Sequence, residues 1–439
     1  MVQDFHSYWE EFVEKKKRVL LLQGPVGPFF HNLKYHLENE HHKFVCKINF
    51  NGGDLHYYPE LEGAVNFTGA VEEFPSFLAS KIREHQIDAV VCFGDSRIYH
   101  QLARDYCYSN KISFWAFEEG YLRPHYITFE KWGVNYSSQI VRDCTVYDST
   151  SSNSVLNSKR MNSFKSQVPK PVASGFWKRA SMASGYYFHM WLRDKKFPRY
   201  QHHREKRLGA YINAWFLSGL TTLRYYLSDL RVKKNILKNQ LDPFFIFPLQ
   251  VHNDSQIKRH GRGKSVAQHL RSVINSFAKN APKEAHLVIK HHPMDKGFSN
   301  YQRIIDKLAQ RLGVMDRVHY VFNIPMPIFL RKALGMVVVN STSGISALIH
   351  GMPVKVIGDA HYDIPGLTAT QSLDCFWKKP DQPDLSRIEN YLHHLRSKTQ
   401  LNGNFYYKDL NVVEFNEKNT VAGREERTSL NSRDGSMNH

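Results

Sequence analysis

Residues 336–348 read Met336-Val337-Val338-Val339-Asn340-Ser341-Thr342-Ser343-Gly344-Ile345-Ser346-Ala347-Leu348. The first four are wholly apolar, as expected of a strand buried on both faces of a parallel sheet. Small hydroxyl residues and a glycine follow, then a helix-like segment ending at Gly351-Met352-Pro353. Unpaired N–H groups, a helix dipole and several hydroxyls converge at such a turn, and a phosphate fits there. An ordinary N-capped βα connection has the same composition. The rest of the chain has to separate the two readings.

Outward from this unit the same alternation recurs twice. In the second half of the chain, strands are expected at 244–249, 286–290, 318–322, 336–339 and 354–357, with helices such as 265–279 and 301–312 between them. In the first half, 18–23, 44–50, 88–93 and 112–117 read as strands, with helical stretches after Gly24-Pro25-Val26-Gly27-Pro28, at 77–85 and from 97 to about 106. Repeated βα units imply parallel sheets with right-handed crossovers. The expected fold is α/β and GT-B-like: two Rossmann-like domains facing a central cleft, with ligands at the carboxyl ends of the strands. The boundaries read as 1–150 for an N-terminal acceptor and catalytic domain and 151–240 for a linker plus a basic aromatic helical segment. A nucleotide-sugar domain then takes 241–415, and a disordered tail 416–439.

The 439 residues carry a net charge of +18, which calls for an anionic partner. Residues 176–238 hold 14 Lys/Arg against three acids, with 13 aromatic residues interleaved. Trp177, Trp191, Arg193 and Trp215 in that segment suit the headgroup layer of an anionic membrane. The same mixture also suits single-stranded nucleic acid, but no nucleic-acid module accompanies it, so none is expected as a partner. No stretch is long and apolar enough to span a bilayer. Met1 to Lys17 lacks the apolar core of a secretory signal. The five cysteines are scattered, with no CxxC pair, as in a reducing cytoplasm and without a zinc site.

Polar residues cluster just after the strands. Glu118-Glu119-Gly120 closes the fourth strand; two adjacent carboxylates can divide the roles of acid and base, and Arg123 nearby can grip an anion. Lys290-His291-His292-Pro293 follows a second-half strand, and its imidazoles can protonate or hydrogen-bond a departing phosphate. Gln23, Gly24, Pro25 and Gly27 form a glycine turn that lets a substrate approach the backbone closely. Asp95 can cap a helix and Arg97 can bind an anionic acceptor. Gln250 and His252 follow the first strand of the second half, and Asp359 and His361 its last.

These segments occur in the order LLLQGPVGPFF, CFGDSR, FEEGYLRP, KHHP and NSTSGISALIHGMPV. In that order the chain resembles the KpsS/LipB-type capsule polysaccharide proteins, a group of bacterial retaining β-Kdo glycosyltransferases, over roughly 18–377. The resemblance implies transfer of the first Kdo from CMP-β-Kdo to a phosphatidylglycerol or lysophosphatidylglycerol acceptor. That product begins the lipid linker of a Gram-negative capsule. It also implies that Glu118 and Glu119 match the family's acidic motif, and His292 and Pro293 its His-Pro motif. Lys290, His291, Asn340, Ser341, Thr342, Ser343 and Gly344 are then expected around the donor. Related proteins often carry Glu-Asp-Gly, whereas Glu119 stands second here. No cofactor beyond the CMP-Kdo substrate is expected, and no metal, because CMP is itself a good leaving group. Implied partners are an anionic phospholipid, the inner-membrane surface and other capsule synthesis and export proteins. The expected location is cytoplasmic, peripheral on the inner membrane. Two other readings stay open: another nucleotide-linked transferase, such as a CDP-glycerol glycerophosphotransferase, and a non-catalytic membrane adaptor of capsule export.

Overall fold

The computed structural model describes residues 7–60, 63–148, 172, 175–201, 208–251 and 261–406, with the side chains of 176 and 208–216 outside that description. His252, the side chain of Trp215 and the tail from 416 therefore lie outside the described residues.

Two sheets organise the chain. The first contains β1 (Arg18–Leu21), β2 (Phe44–Asn49), β3 (Ala64–Asn66), β4 (Ala89–Phe93), β5 (Ser113–Glu119), β6 (Tyr126–Lys131) and β12 (Gln400–Asn402), in the order β12-β6-β5-β4-β1-β2-β3. The strands from β3 to β5 are parallel, while β6 and β12 are antiparallel additions. The second sheet is wholly parallel, in the order β11-β10-β7-β8-β9: β7 (Phe244–Pro248), β8 (His286–Lys290), β9 (Val318–Val321), β10 (Gly335–Val338) and β11 (Val354–Val356). Both sheets have strands and helices in alternation with a switch in strand order, the doubly wound arrangement the apolar runs implied. The architecture is GT-B-like, with two Rossmann-like halves.

In the first half the helices are α1 (Tyr8–Lys15), α2 (Phe29–Asn39), α3 (Gly52–Tyr57), α4 (Phe74–Glu84) and α5 (Ile98–Ser109). They cover two cores, one on each face of the sheet. α8 (Val266–Asn280) and α9 (Gln302–Arg311) cover one face of the second sheet. α8 begins in a capping box in which Ser265 and Gln268 exchange hydrogen bonds with each other's backbone, satisfying two N–H groups that a helix start leaves open.

The halves are stitched twice. Tyr121, Ile140 and Tyr147 of the first half pack into the second half's core with Tyr362, Ile364 and Tyr391. α11 (Leu385–Thr399) then leads the chain back, and β12 pairs with β6, Leu401 opposite Ile127. So the end of the segment 241–415 completes the first sheet. Its backbone groups supply partners to an edge that β6 would otherwise leave open.

The composition-defined segment 151–240 also divides. α6 (Phe176–Leu192) packs on α3: a Cβ on Gly52 would sit 2.3 Å from the carbonyl oxygen of His189, so only glycine allows this approach. Tyr186, Met190, Phe197 and Tyr200 enter the first half's core. The long helix α7 (Leu208–Leu237) goes to the second half, where Asp229 accepts hydrogen bonds from the backbone N–H of Phe322 and Asn323. Trp177 remains 82% exposed and Trp191 56%, while Arg193 contacts His189. No helix among the described residues is long and apolar enough to cross a membrane.

Candidate functional site

The residues after β5 are held by a network built into the bend. The side-chain oxygen of Gln400 accepts from the N–H of Tyr121 at 3.0 Å, and its amide donates to Thr128 Oγ1 at 2.9 Å. Tyr121 donates its hydroxyl to Glu130 at 2.7 Å and accepts the N–H of Asn135 at 2.5 Å. Glu130 is fully buried, and burial pushes its carboxyl up to about 8, with the Ser138 and Tyr121 hydrogen bonds opposing. It is therefore a neutral acid at pH 7. Asn135 in turn donates to Glu118 Oε2 at 3.4 Å, and Glu118 Oε1 accepts from the N–H of Glu119 at 3.0 Å.

The two glutamates do not meet. Neighbouring residues of a strand point to opposite faces. Glu118 lies on the side of Phe114 and Ala116, and Glu119 on the side of Trp115 and Phe117. The two carboxylates expected to divide the roles of acid and base thus leave the strand on opposite faces. Glu118 is anchored, whereas the Glu119 carboxylate makes no hydrogen bond or ion pair among the described residues.

The loop that anchors Glu118 also faces the other half. Asn135 and Tyr136 border a small cleft together with Asn340, Thr342, Asp359 and His361. The ring of Tyr121 lies 4.5 Å from that of His361. His361 is fully buried, burial pushes it down to about 3, and its Nδ1 lies 2.9 Å from the Tyr391 hydroxyl. It is a neutral strut between the halves.

At the end of β10 the hydroxyl turn is partly self-satisfied. Ser341 Oγ accepts the N–H of Ser343 at 3.2 Å and lies 3.1 Å from Ser343 Oγ. Gln250 donates to Asn340 Oδ1 at 2.8 Å, which fixes the head of the turn. The Tyr362 hydroxyl donates to the Ser341 carbonyl. A Cβ on Gly344 would come within 2.4 Å of that hydroxyl, so the glycine makes room for it. The helix that follows, α10 (Ser343–Ile349), has Thr342 as its N-cap, without a side-chain capping bond.

The KHHP segment separates into different roles. His291 is fully buried; its Nδ1 lies 2.6 Å from the Tyr320 hydroxyl and its ring packs on Phe322. It is a packed core histidine and does not reach a donor. His292 is half-buried at the cap of the short turn Pro293–Asp295, where its Nδ1 accepts the Met294 N–H at 3.2 Å. The ring proton of the neutral form therefore sits on Nε2. Burial pushes His292 down to about 4, with Asp295 opposing and the nearby charges of Lys290 and Arg123 adding to the effect. Arg123 belongs to the first half and His292 to the second, so this influence runs across the gap. Burial likewise pushes Lys290 down to about 8, helped by Lys296 and opposed by Asp229. The Lys290 ammonium makes no hydrogen bond among the described residues.

The other expected contacts are structural. Gln23 is buried, and its amide nitrogen lies 3.0, 2.9 and 3.3 Å from the Tyr186 hydroxyl, the Tyr200 hydroxyl and Asp54 Oδ2, three acceptors for its two N–H groups. Those bonds consume its amide, so it is not available to a substrate. Asp95 is buried, accepts the Val134 N–H at 3.4 Å and pairs with Arg104 at 3.5 Å, while Arg97 takes the N-cap position of α5. Asp95 thus anchors the Asn135 loop instead of capping the helix. Among the described residues Arg97 makes one hydrogen bond, to the Gly24 carbonyl at 3.5 Å. Gly24, Pro25 and Gly27 do border a cleft, and its polar lining includes Lys47. Sequence reasoning passed over Asn135 and Lys47. The signal for Lys47 was a lone cation inside the strand-like run Phe44-Val45-Cys46-Lys47-Ile48-Asn49. No group of residues able to hold a metal ion occurs among the described residues.

Comparison with known proteins matches this chain to one group. The family model described as capsule polysaccharide biosynthesis protein matches residues 88–406. The capsule polysaccharide modification protein LipB of Neisseria meningitidis serogroup B is 43% identical over 399 residues, which cover 90% of this chain and 93% of that protein. The capsule polysaccharide export protein KpsS of Escherichia coli is 37% identical over 391 residues, covering 89% and 97%. Among solved structures, the β-Kdo 2,7 transferase of Thermosulfurimonas dismutans KpsC aligns over 84% of this chain and 89% of its own, at 12% identity and a TM-score of 0.38. The strand-end motifs, the extent of the family match and the full-length relatives agree: this chain belongs to the capsule polysaccharide biosynthesis protein family.

Proposed function

We propose that the protein is a retaining β-Kdo glycosyltransferase that moves the first Kdo from CMP-Kdo to a phosphatidylglycerol or lysophosphatidylglycerol acceptor. The observation that carries this reading is the cleft between the halves. It is bordered on one side by Asn135, the residue that holds Glu118, and on the other by Asn340 and Thr342 of the hydroxyl turn.

In this reading the Glu119 carboxylate, unengaged in the structure, attacks the anomeric carbon as the bond from that carbon to the CMP phosphate breaks. The acceptor hydroxyl then attacks the same carbon from the face the CMP left. The bond to Glu119 breaks, and Glu118 takes the hydroxyl proton. Two inversions give net retention. His292 donates its Nε2–H to the departing phosphate, Lys290 adds positive charge, and the Ser341–Ser343 turn offers hydroxyls. Because His292 is held neutral, it serves as a hydrogen-bond donor and not as a source of a proton. The basic residues and the exposed Trp177 and Trp191 support a place for the protein at the inner-membrane surface.

The test is to incubate the protein with CMP-Kdo and fluorescent phosphatidylglycerol in vesicles, then determine the mass and anomeric configuration of the product. One β-linked Kdo on the lipid is expected. Turnover of CDP-glycerol in its place would move the protein to the glycerophosphotransferases, and no turnover of either would favour an adaptor. The same vesicles report the membrane part: flotation should weaken with salt, and flotation indifferent to anionic lipid content would remove it.

A further inference from the structure

The cleft beside the first glycine turn takes no part in the chemistry above, yet it is built from polar groups. It lies between the Gly24–Gly27 turn, α3 and α6. Lys47 reaches it from β2 and is only 3% exposed. Two of its ammonium N–H groups are spent, on Asn49 Oδ1 at 2.6 Å and on the Ile48 carbonyl at 3.3 Å. The third has no acceptor among the described residues. Arg97, whose guanidinium bonds only the Gly24 carbonyl, has no carboxylate partner among the described residues. The one acid in the lining, Asp54, is occupied by the Tyr186 hydroxyl at 2.9 Å and the Phe50 N–H at 3.1 Å. Lys47 thus lines the cleft beside one engaged carboxylate, and Arg97 stands behind the Gly24 turn, close enough to act electrostatically on Lys47.

We propose that this cleft binds the phosphodiester head of an anionic glycerolipid, with Lys47 and Arg97 on the phosphate and α6 placing the lipid-bearing side at the bilayer. The proposal deepens the reading that an anionic glycerolipid is the acceptor, and rests on it. A buried ammonium with a spare N–H gains from an anion that replaces its lost hydration. Burial already pushes Lys47 down to about 8, with Asp54 opposing and Arg97 adding to the effect, so an anion would relieve both burial and the Arg97 repulsion. The position suits the chemistry. Only β4 separates β1 from β5, so the strand ends are about 10 Å apart. Arg97 follows β4, between them, and a Cβ on Gly94 would lie 3.7 Å from Glu118 Oε2. A phosphate held there leaves its glycerol hydroxyls along the strand ends on the side of Glu118.

α6 connects the cleft to the outside. Tyr57 donates its hydroxyl to the Met182 carbonyl at 2.9 Å, and Tyr186 closes the inner wall. The same helix exposes Trp177 and Trp191. One element therefore lines the cleft and presents the aromatic side chains that sit well at a membrane interface.

The experiment is equilibrium binding to the full-length protein, with dihexanoyl-phosphatidylglycerol, sn-glycerol 1-phosphate, monohexanoylglycerol and CMP as probes. Wild type should bind the phosphatidylglycerol most tightly, the glycerol phosphate less and the neutral lipid least. Lys47→Met and Arg97→Gln should each weaken both phosphate ligands about tenfold or more and leave CMP unchanged. Trp177→Ala with Trp191→Ala should weaken only the lipid. If Lys47→Met fails to fold, Arg97→Gln, at a partly exposed position, carries the test. Unchanged affinity in the variants, a matching loss of CMP binding, or a wild-type preference for the neutral lipid would overturn the proposal. Glycerol phosphate binding as tightly as the lipid would overturn its membrane part. Because the readout is binding, failure of the transferase reading would show separately, as intact lipid affinity with no product.

Discussion

The two halves are built alike but present different chemistry to the cleft between them. Strand ends of the first half carry charge: Glu118, Glu119, Arg97 and Arg123. Those of the second half carry an amide, hydroxyls and histidines held neutral by burial, with Lys290 and the Arg262-paired Asp359 as the exceptions. In the proposed reaction the first half supplies the groups that act at carbon and the second those that receive the leaving phosphate. The same division shows inside the KHHP segment, where His291 is packed and His292 is half-buried although burial depresses both. What a strand-end residue does depends on which face of the strand it leaves from, more than on its type.

The largest effect should follow removal of the charged partner. Glu119→Gln should lower kcat roughly 10⁴-fold or more, as loss of a nucleophile does, and leave CMP affinity intact. Glu118→Gln should cost less, since its role is with the acceptor proton. If Glu118→Gln proves the more damaging, the two roles exchange; loss of CMP binding in Glu119→Gln would show that the acid acts in binding.

A smaller loss is expected on the neutral side. His292→Ala should lower kcat by about 10²-fold, the usual effect of removing one preorganised donor. His292→Gln, which retains an N–H, should recover part of it. A histidine held down to about 4 is neutral throughout the physiological range, so kcat/KM should show no inflection from it near 6.5. An inflection there that vanishes in His292→Ala would return His292 to proton transfer.

The smallest effect concerns the scaffold under Glu118. Glu130 is raised from its ordinary value to about 8. Between about 4.5 and 8 the unfolded chain has lost this proton and the folded chain keeps it, so its contribution to stability falls as pH rises. Glu130→Gln retains the shape and hydrogen-bonding capacity without the titration. Thermal denaturation should show the variant gaining on wild type from pH 5 to pH 8, by at most a few kcal/mol. A constant difference across that range would mean that Glu130 is ionised in the folded protein.

Much of this was legible in the chain. Apolar runs such as Met336–Val339 located the strands, because a parallel strand buried on both faces has no polar alternation. The strand-end motifs, and their order, were visible for the same reason. The fate of 151–240 was not. Composition described a basic aromatic segment, yet Gly52 and Gly53 admit α6 to the first half while Asp229 ties α7 to the second.

The sequence by itself determined the alternation of strands and helices, the polar residues that close the strands, and the positive charge. These depend on local periodicity and composition, which adjacent residues carry. Only the tertiary structure decided that Glu118 and Glu119 part to opposite faces, that Gln23 and Asp95 are consumed as struts, and that Lys47 borders a cleft. It also decided that the returning strand β12 completes the first sheet. Each of those outcomes depends on partners distant along the chain, such as Gln400 on Tyr121 and Tyr186 on Asp54, and no local pattern encodes which distant group will arrive.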